Sequence, residues 1–273
     1  MFYRVDFACD DQDELQARLN RICDYADDVE TKVLHRERMN LFFLLMQDLI
    51  KGGTAVAFDS ALDIGCNTGI YSKMISDFGY KRVRGIDIVP DMIERASRTF
   101  GLDEGGRSIA FDVADAERLD REAKYDFILC TEVIEHTAHP ELVVSNIKSM
   151  LSPRGVAVVT LPNAWSFPYQ AARLAYVIKR PPRNLEFEDH LKFPFPRSLR
   201  LMKGDGLRLV RTDGANLLLE THLLRLLYGT SLFAPFNRLQ FGLGRMWPFR
   251  YFAQFFFMVL VREDRPDGAR PAA

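Results

Sequence analysis

The sequence predicts an α/β fold in which helices cover both faces of a mostly parallel sheet. The prediction depends on the central part of the chain, where short apolar segments alternate with segments of helical periodicity. Strands that alternate with helices in this way form β-α-β units, whose strands run parallel. The length of 273 residues and the 48% hydrophobic content are enough for a sizeable core, and they exclude a disordered or collagen-like chain.

Two helices are expected before the sheet begins. Segment 10–25 alternates acidic residues with leucine and isoleucine at helical spacing. A second helix is expected from about Thr31 to Lys51, where two glycines end it. The last turns of this second helix are apolar on all sides, which predicts that they are buried. We therefore expect a helical prefix over residues 1–52.

Seven strands follow the prefix, and helices lie between most of them. We assign the main domain to 53–262, with insertions at about 164–197 and 217–251, and expect a disordered tail over 263–273. Each strand is a short run rich in apolar residues. The expected elements are strand Ser60–Ile64, helix Ile70–Phe78, strand Arg82–Asp87, helix Pro90–Phe100, strand Ser108–Val113, strand Tyr125–Cys130, helix Pro140–Leu151, strand Gly155–Leu161, helix Ser198–Lys203, strand Leu207–Asp213 and strand Phe255–Val261.

The composition argues against several classes of protein. The sequence has no run of about 18 uncharged apolar residues, so no membrane-spanning helix is expected. The first residues lack the basic and then apolar pattern of a signal peptide. Cys9, Cys23, Cys66 and Cys130 show no C-x-x-C spacing. We therefore expect neither a metal centre nor a disulfide framework, and a reducing, cytoplasmic compartment fits.

The exit of the first strand predicts a ligand site, since ligands of open α/β sheets bind outside the carboxyl ends of the strands. Gly65 permits a tight turn there, and Gly69 permits a close approach of the backbone to a ligand. Asp63 adds a carboxylate. The second strand ends in Asp87, whose carboxylate can accept hydrogen bonds from both hydroxyls of a ribose. Two classes of enzyme share this pattern: dinucleotide-dependent oxidoreductases and S-adenosylmethionine (SAM) methyltransferases.

Two residues of the loop distinguish these classes. The dinucleotide fingerprint is G-x-G-x-x-G, but Asn67 and Ile70 stand at its second and third glycine positions. The second glycine lets the backbone approach a pyrophosphate, which a cofactor without phosphate does not need. The loop therefore favours SAM, and a nicotinamide-dependent oxidoreductase is the alternative.

Four ordered motifs resemble those of the class I SAM-dependent methyltransferases, in the branch of ubiquinone-biosynthesis-type enzymes. The resemblance covers about 61–163. It implies a Rossmann-like sheet of seven strands, S-adenosyl-L-methionine as the cofactor, and methyl transfer as the activity. The motifs are Leu62–Gly69, Gly85–Asp87 with Asp91–Ala96, Ala114–Leu119, and Tyr125–His136 followed by Leu151–Asn163.

The resemblance places one group of residues at the methionine end of SAM. Asp63 is expected near the ammonium group, although it could instead cap the following helix. Cys66 could equally pack beneath the loop as a small apolar residue. Asn67 and Tyr71 either contact the carboxylate of SAM or shape the turn. The whole group is Asp63, Gly65, Cys66, Asn67, Gly69, Tyr71 and Thr131.

The resemblance places a second group at the nucleoside end. Asp87 is expected to hold the ribose hydroxyls, and Ile88 is expected to pack on the adenine. Asp115 is expected to accept a hydrogen bond from the adenine amino group, with the Ala116 amide nearby. Asp112 is the alternative to Asp115, because strand ends are uncertain by a few residues.

The chemistry of methyl transfer limits what the enzyme must supply. The transfer is an in-line displacement for which positioning and exclusion of water supply much of the catalysis, so no metal is required. A hydroxyl acceptor benefits from a general base near neutral pH, and the candidates are Glu132, His136 and His190. Two of them have a structural alternative: a helix N-terminal charge for Glu132 and a hydrogen-bonded structural role for His136. We expect transfer to an oxygen; a non-catalytic SAM-binding subunit is a further alternative.

The last 110 residues differ in character from the rest of the chain. They contain 17 Lys and Arg against 9 Asp and Glu, and 18 of the 32 aromatic residues. Segment 228–251 interleaves aromatic residues with arginines, which favours an anionic or amphipathic acceptor and peripheral contact with a membrane. The alternative is a lid that packs its aromatic residues inward. The expected acceptors are a quinone precursor, a sugar or a lipid-linked group, whereas nucleic acid is not expected because no RNA-binding module is recognised.

Overall fold

The computed structural model describes residues 29–55, 57–170, 173–174, 193–204, 206–217, 227 and 230–266. These residues form an α/β fold with one eight-stranded sheet, so the predicted fold class is confirmed. The elements are α1 Val29–Lys51, β1 Ser60–Ile64, α2 Ile70–Asp77, β2 Arg82–Asp87, α3 Pro90–Phe100, β3 Leu102–Glu104, β4 Arg107–Val113, β5 Tyr125–Thr131, a 3₁₀ turn at Ile134–His136, α4 Pro140–Met150, β6 Leu151–Pro162, α5 Phe195–Gly204, β7 Leu207–Ala215, α6 Phe233–Arg245, a 3₁₀ turn at Phe249–Phe252 and β8 Phe255–Arg262.

The strand order reverses at the middle of the sheet, beside β1. The order is β3-β4-β2-β1-β5-β6-β8-β7, and β4, β2, β1, β5 and β6 run parallel to one another. The chain leaves β1 towards β2 on one side, and β5 pairs with β1 on the other side. A ligand of such a sheet binds where the strand order reverses, at the carboxyl ends of β1 and its neighbours.

The sheet has eight strands where the sequence predicted seven. The additional strand is β3, which pairs antiparallel with β4 in the register Glu104 to Arg107. A two-residue turn of Gly105 and Gly106, with φ of 59° and 77°, joins the two strands. Turns in which both central residues have positive φ match the twist of a β-hairpin. The Gly-Gly pair was therefore a hairpin signal that the sequence interpretation missed.

Two hydrophobic clusters lie on opposite faces of the sheet, because successive side chains of a strand point to opposite sides. The cluster on one face joins α1 and α2 to the strands, and Phe42 of α1 meets Tyr71 and Phe127 there. The cluster on the other face contains the buried side of α4, including Val144 and Ile147. Helix α1 thus covers the sheet directly, as expected from its apolar end.

Several segments for which the sequence predicts a structure lie partly or wholly outside the described residues. The helix expected over 10–25 and most of the insertion expected at about 164–197 lie outside them. Within the segment 263–273, which was expected to be a disordered tail, Arg265 donates a hydrogen bond to the carbonyl oxygen of Thr54 at 2.9 Å. No helix within the described ranges is long and apolar enough to span a membrane.

Candidate functional site: a cavity at the carboxyl edge of the sheet

The loop between β1 and α2 turns through three residues with positive φ. Gly65, Asn67 and Gly69 have φ of 72°, 48° and 84°. Asparagine tolerates this left-handed conformation better than most residues, so Asn67 can stand where a dinucleotide-binding loop has glycine. The amides of Gly65 and Cys66 both donate to the carbonyl oxygen of Ile86, at 2.8 and 2.9 Å. The loop is therefore fixed against the end of β2.

Neighbouring side chains leave no room for a Cβ at Gly65 or Gly69. A Cβ on Gly65 would lie 2.1 Å from Cγ2 of Val133, and a Cβ on Gly69 would lie 2.7 Å from the ring of Phe111. Side chains cannot approach so closely without a shift of one partner. Gly69 was expected to permit a close approach of the backbone to a ligand. In the structure the ring of Phe111 occupies that space instead.

Asp87 is held in one orientation at the end of β2. Its Oδ2 accepts a hydrogen bond from the amide of Asn67 at 2.9 Å, and its Oδ1 accepts one from the amide of Val89 at 3.0 Å. Each carboxylate oxygen can accept a second hydrogen bond. The carboxylate is therefore positioned for two hydroxyl donors.

Asp63 is completely buried at the start of the loop. Its Oδ2 accepts a hydrogen bond from the Ser72 hydroxyl at 2.6 Å, while its Oδ1 has no hydrogen-bond partner. The residue at the N-cap of α2 is Gly69, with no side-chain cap, so the capping alternative for Asp63 is excluded. Burial raises the pKa of Asp63 to about 7; the charge of Asp87 adds to the rise, and the Ser72 hydrogen bond opposes it.

The raised pKa of Asp63 predicts a loss of stability as the pH rises. Between about pH 4 and 7 the folded protein keeps a proton that an unfolded aspartate has released, so the free energy of unfolding falls through this window. We expect Asp63→Asn, which stays neutral, to reduce this fall by on the order of 4 kcal/mol. Urea unfolding at several pH values measures it, with Asp103→Asn on the exposed strand β3 as the control. Equal pH dependence in wild type and Asp63→Asn would contradict the assignment.

A cavity of about 460 Å³ opens beside the loop. It lies at the carboxyl ends of β1, β2, β4 and β5, as the strand order requires. Ile88 at its rim is 65% exposed, which leaves an apolar side chain available to a planar ring. The residues that line the cavity are Ile64, Gly65, Ile86, Asp87, Ile88, Ala114, Asp115, Ala116, Glu117, Glu132, Val133, His136, Thr137 and Ala138.

The structure distinguishes the two aspartates proposed for the adenine end. Asp115 lines the cavity together with Ala116, and Asp115 Oδ1 accepts a hydrogen bond from the amide of Glu117 at 2.9 Å. Asp112 is exposed, and its carboxylate accepts a hydrogen bond from Nε of Arg84 at 2.7 Å. Only Asp115 of the two therefore faces the cavity.

Glu132 and His136 bring two candidate bases to the same cavity wall. Glu132 has φ of 52°, an uncommon conformation for a residue with a side chain. Its Oε1 accepts a hydrogen bond from the Thr160 hydroxyl at 2.8 Å, and its Oε2 lies 3.8 Å from Nη1 of Arg38. Burial raises the pKa of Glu132, while Arg38, the Thr160 hydrogen bond and His136 oppose the rise.

Other predicted site residues lie away from the cavity wall. The Cys66 side chain is buried beneath the loop, next to Gly85, where burial raises the pKa of the thiol. The ring of Tyr71 packs edge-on against Phe42, with ring centroids 5.2 Å apart. Thr131 ends β5, one position before Glu132. His190 lies outside the described residues.

Two contributors to the site were missed by the sequence analysis. Arg38 reaches Glu132 from α1, and no local pattern signals such a distant contact. Glu117 accepts hydrogen bonds from the amides of Ala138 and His139, at 2.7 and 3.1 Å. This contact ties the segment after β4 to the segment after β5. Its signal was the carboxylate two residues after Asp115, in the motif already identified.

The residues present fit a nucleoside with a cationic amino acid end. The fixed carboxylate of Asp87 suits a ribose, and the apolar rim at Ile88 suits an adenine. The unpartnered Oδ1 of buried Asp63 suits an ammonium group, since a buried acceptor without a donor is unfavourable. Among the described residues no cluster of His, Cys, Asp and Glu could hold a metal ion.

Comparison with known proteins agrees with this geometry. A model of the methyltransferase domain family matches residues 11–212. Curated relatives include ubiquinone biosynthesis O-methyltransferases from Bartonella bacilliformis, 31% identical over 55% of this chain and 60% of the relative, and from Rickettsia prowazekii, 25% identical over 62% of this chain and 66% of the relative. The chain thus spans less than two thirds of the length of these relatives.

Solved structures show the same fold at low identity. Magnesium protoporphyrin IX methyltransferase from Synechocystis PCC 6803 with bound SAH has a TM-score of 0.59 at 15% identity, over 92% of this chain and 94% of that chain. A SAM-dependent methyltransferase from Clostridium acetobutylicum has a TM-score of 0.52 at 12% identity, over 92% and 98%. The family model covers well over half of the chain. The chain therefore belongs to the methyltransferase domain family, in agreement with the resemblance found in its sequence.

Proposed function

We propose that the protein transfers the methyl group of SAM to an oxygen atom of a small or amphipathic metabolite. The observation that carries this proposal is the position of Glu132 in the cavity wall, a carboxylate whose pKa is raised by burial. A carboxylate whose pKa is raised above its usual value is better suited to remove a proton from a hydroxyl. The curated relatives named ubiquinone biosynthesis O-methyltransferase support an oxygen acceptor, and they make a quinone precursor the first substrate class to test.

The cavity residues divide the binding of SAM between them. Asp87 holds the ribose hydroxyls, Ile88 packs on the adenine, and Asp115 with the Ala116 amide binds the adenine edge. Asp63 lies at the ammonium end, behind the loop of Gly65 and Gly69. When bound, SAM supplies a methyl group on a positively charged sulfur, which leaves the protein to position the acceptor and exclude water.

The acceptor side is proposed to lie between Glu132 and the segments that follow β6. Thr160 and Arg38 orient the Glu132 carboxylate through its two oxygens. The guanidinium of Arg38 also lies 4.8 Å from the ring centroid of Phe255, at the start of β8. An acceptor that enters here meets a carboxylate beside an aromatic wall, which suits an aromatic hydroxyl.

The identity of the base can be tested by comparing two variants. We expect Glu132→Gln to lower kcat by about 10²- to 10⁴-fold and to remove the increase in kcat with pH, because wild-type Glu132 must lose its proton to act as the base. Glu141→Gln, on an exposed carboxylate of α4, is the matched control. A larger loss in His136→Asn than in Glu132→Gln would reassign the base to His136.

Segment 228–251 is proposed to place the enzyme at a membrane surface, where an amphipathic acceptor would be found. Phe233 and Phe241 are buried, but Leu232, Leu239 and Trp247 are 63%, 59% and 71% exposed. Exposed apolar residues on a helix with arginines suit a lipid interface. The described part of this segment therefore favours surface contact over a lid with all aromatic residues packed inward.

An untargeted labelling experiment tests the function. The protein is incubated with SAM that carries an isotope-labelled methyl group, together with soluble and membrane fractions of a cell extract, and labelled products are identified. We expect an O-methylated product from the membrane fraction, and none with Asp87→Ala. A labelled nitrogen or carbon would contradict the oxygen assignment. The absence of any product, with SAM binding intact, would favour a non-catalytic subunit.

A further inference from the structure

A second cavity lies at the far edge of the sheet, beyond β8. Its volume is about 440 Å³, it is open to solvent, and it is bordered by the end of α1, the edge strand β7 and α6. We call it the α6 cavity. The residues that line it are Leu44, Arg211, Asp213, Arg238, Phe241, Gly242 and Arg245. It shares none of these residues with the cavity that is lined by Gly65 and Asp87, which we call the cofactor cavity.

The three arginines of the α6 cavity are unequally neutralised. Arg211 lies 2.7 Å from Asp213 and 3.0 Å from Asp48. Arg245 shares the same Asp48 through Nη2 at 3.3 Å, and its Nε is buried without a hydrogen-bond partner. Arg238 is exposed, and within the part of the chain that the structure describes no ion pair involves it. The cavity therefore has an excess of positive charge and unused guanidinium donors.

Helix α6 presents these donors on one face. Arg238, Gly242 and Arg245 follow the spacing of four and three residues that aligns side chains along a helix. Gly242 leaves the space between the two arginines open, since a Cβ there would meet no atom within 4 Å. Guanidinium groups bind phosphate oxygens through pairs of N–H donors. A tetrahedral dianion between Arg238 and Arg245 would neutralise the exposed charge of Arg238.

We propose that the α6 cavity binds a phosphate group, held by Arg238 and Arg245. Three exposed apolar residues lie along the helix and at its two caps: Leu232, Leu239 and Met246, at intervals of seven residues. A phosphate that sits beside this apolar row is either the headgroup of an anionic lipid or a free phosphorylated metabolite. Both sources present the same oxygens to the arginines. The proposal does not depend on methyl transfer, because the cofactor cavity is separate.

The experiment compares two double variants of equal charge change. Arg238→Gln with Arg245→Gln removes the proposed donors, and Arg154→Gln with Arg208→Gln removes two exposed arginines that lie outside both cavities. The full chain is titrated with inorganic phosphate by calorimetry. In a second arm it is co-sedimented with vesicles of phosphatidylcholine and phosphatidylglycerol, with pure phosphatidylcholine as background. Affinity for S-adenosylhomocysteine is measured in each variant as a check on the fold and on the cofactor cavity.

We expect the first variant, which lacks Arg238 and Arg245, to bind the phosphate probes at least about tenfold more weakly than wild type. The second variant, which lacks Arg154 and Arg208, should bind them nearly as tightly as wild type. If the first variant loses affinity for inorganic phosphate as well as for vesicles, the ligand is a free phosphorylated metabolite. If it loses affinity for vesicles alone, the ligand is a lipid headgroup. Arg238→Gln alone should weaken binding several-fold with unchanged stability. Equal losses in the two double variants, or no binding of either probe by wild type, would overturn the proposal.

Discussion

Asp87→Ala is expected to weaken binding of SAM and S-adenosylhomocysteine by roughly 10²- to 10⁴-fold. Each hydrogen bond from a ribose hydroxyl to a charged group contributes about 1.5–3 kcal/mol, and Asp87 is positioned to accept two of them. The variant also loses the acceptors of the Asn67 and Val89 amides, so the loop becomes less well positioned. Calorimetric titration with S-adenosylhomocysteine measures the effect.

The control for this prediction is Asp112→Ala. Asp112 is a neighbouring aspartate that pairs with Arg84 and does not line the cavity, so its loss should leave the affinity unchanged. Asp87→Asn, which keeps one acceptor oxygen without the charge, should fall between wild type and Asp87→Ala. Unchanged affinity in Asp87→Ala would refute the ribose assignment.

Gly65→Ala is expected to lower the free energy of unfolding by about 2–5 kcal/mol and to displace the cofactor loop. Two costs add: a left-handed backbone with a side chain costs about 1–2 kcal/mol, and overpacking costs about 1–3 kcal/mol. The overpacking is specific, since the new Cβ would lie 2.1 Å from Cγ2 of Val133. Denaturant unfolding measures the change.

Two further variants separate the costs of Gly65→Ala. Gly106→Ala introduces a side chain at φ of 77° with no atom within 4 Å, so it should show the backbone cost alone. Val133→Ala combined with Gly65→Ala removes the clashing methyl group and should recover part of the stability. The loss in free energy of unfolding of the double variant should be smaller than the sum of the losses of the two single variants. Equal values would show that the contact with Val133 is not the cause.

Sequence patterns were sufficient to predict the fold, and they also identified two carboxylates that line the cavity beside Gly65. The strands of a parallel sheet are buried on both faces, so they appear as short apolar runs, and the carboxyl ends of these runs must meet at one edge. Asp87 and Asp115 were identified from that rule and from their motifs. The structure places both in the cavity wall.

Contacts between distant segments could not be predicted in this way. Arg38 comes to Glu132 because α1 packs on the sheet, and Phe111 fills the space at Gly69 because β4 pairs with β2. Such contacts depend on tertiary packing, which leaves no periodic signal. The positive φ of Glu132 was equally hidden, because glutamate, unlike glycine, does not indicate that conformation in a sequence.

The central claim is that the cavity beside Gly65 and Asp87 holds the nucleoside of SAM. A crystal structure of the protein grown with S-adenosylhomocysteine tests it most directly. We predict the ribose hydroxyls within hydrogen-bond distance of Asp87, the adenine against Ile88 and the adenine amino group at Asp115. A nucleoside bound elsewhere, or a cavity left without it at saturating concentration, would contradict the claim.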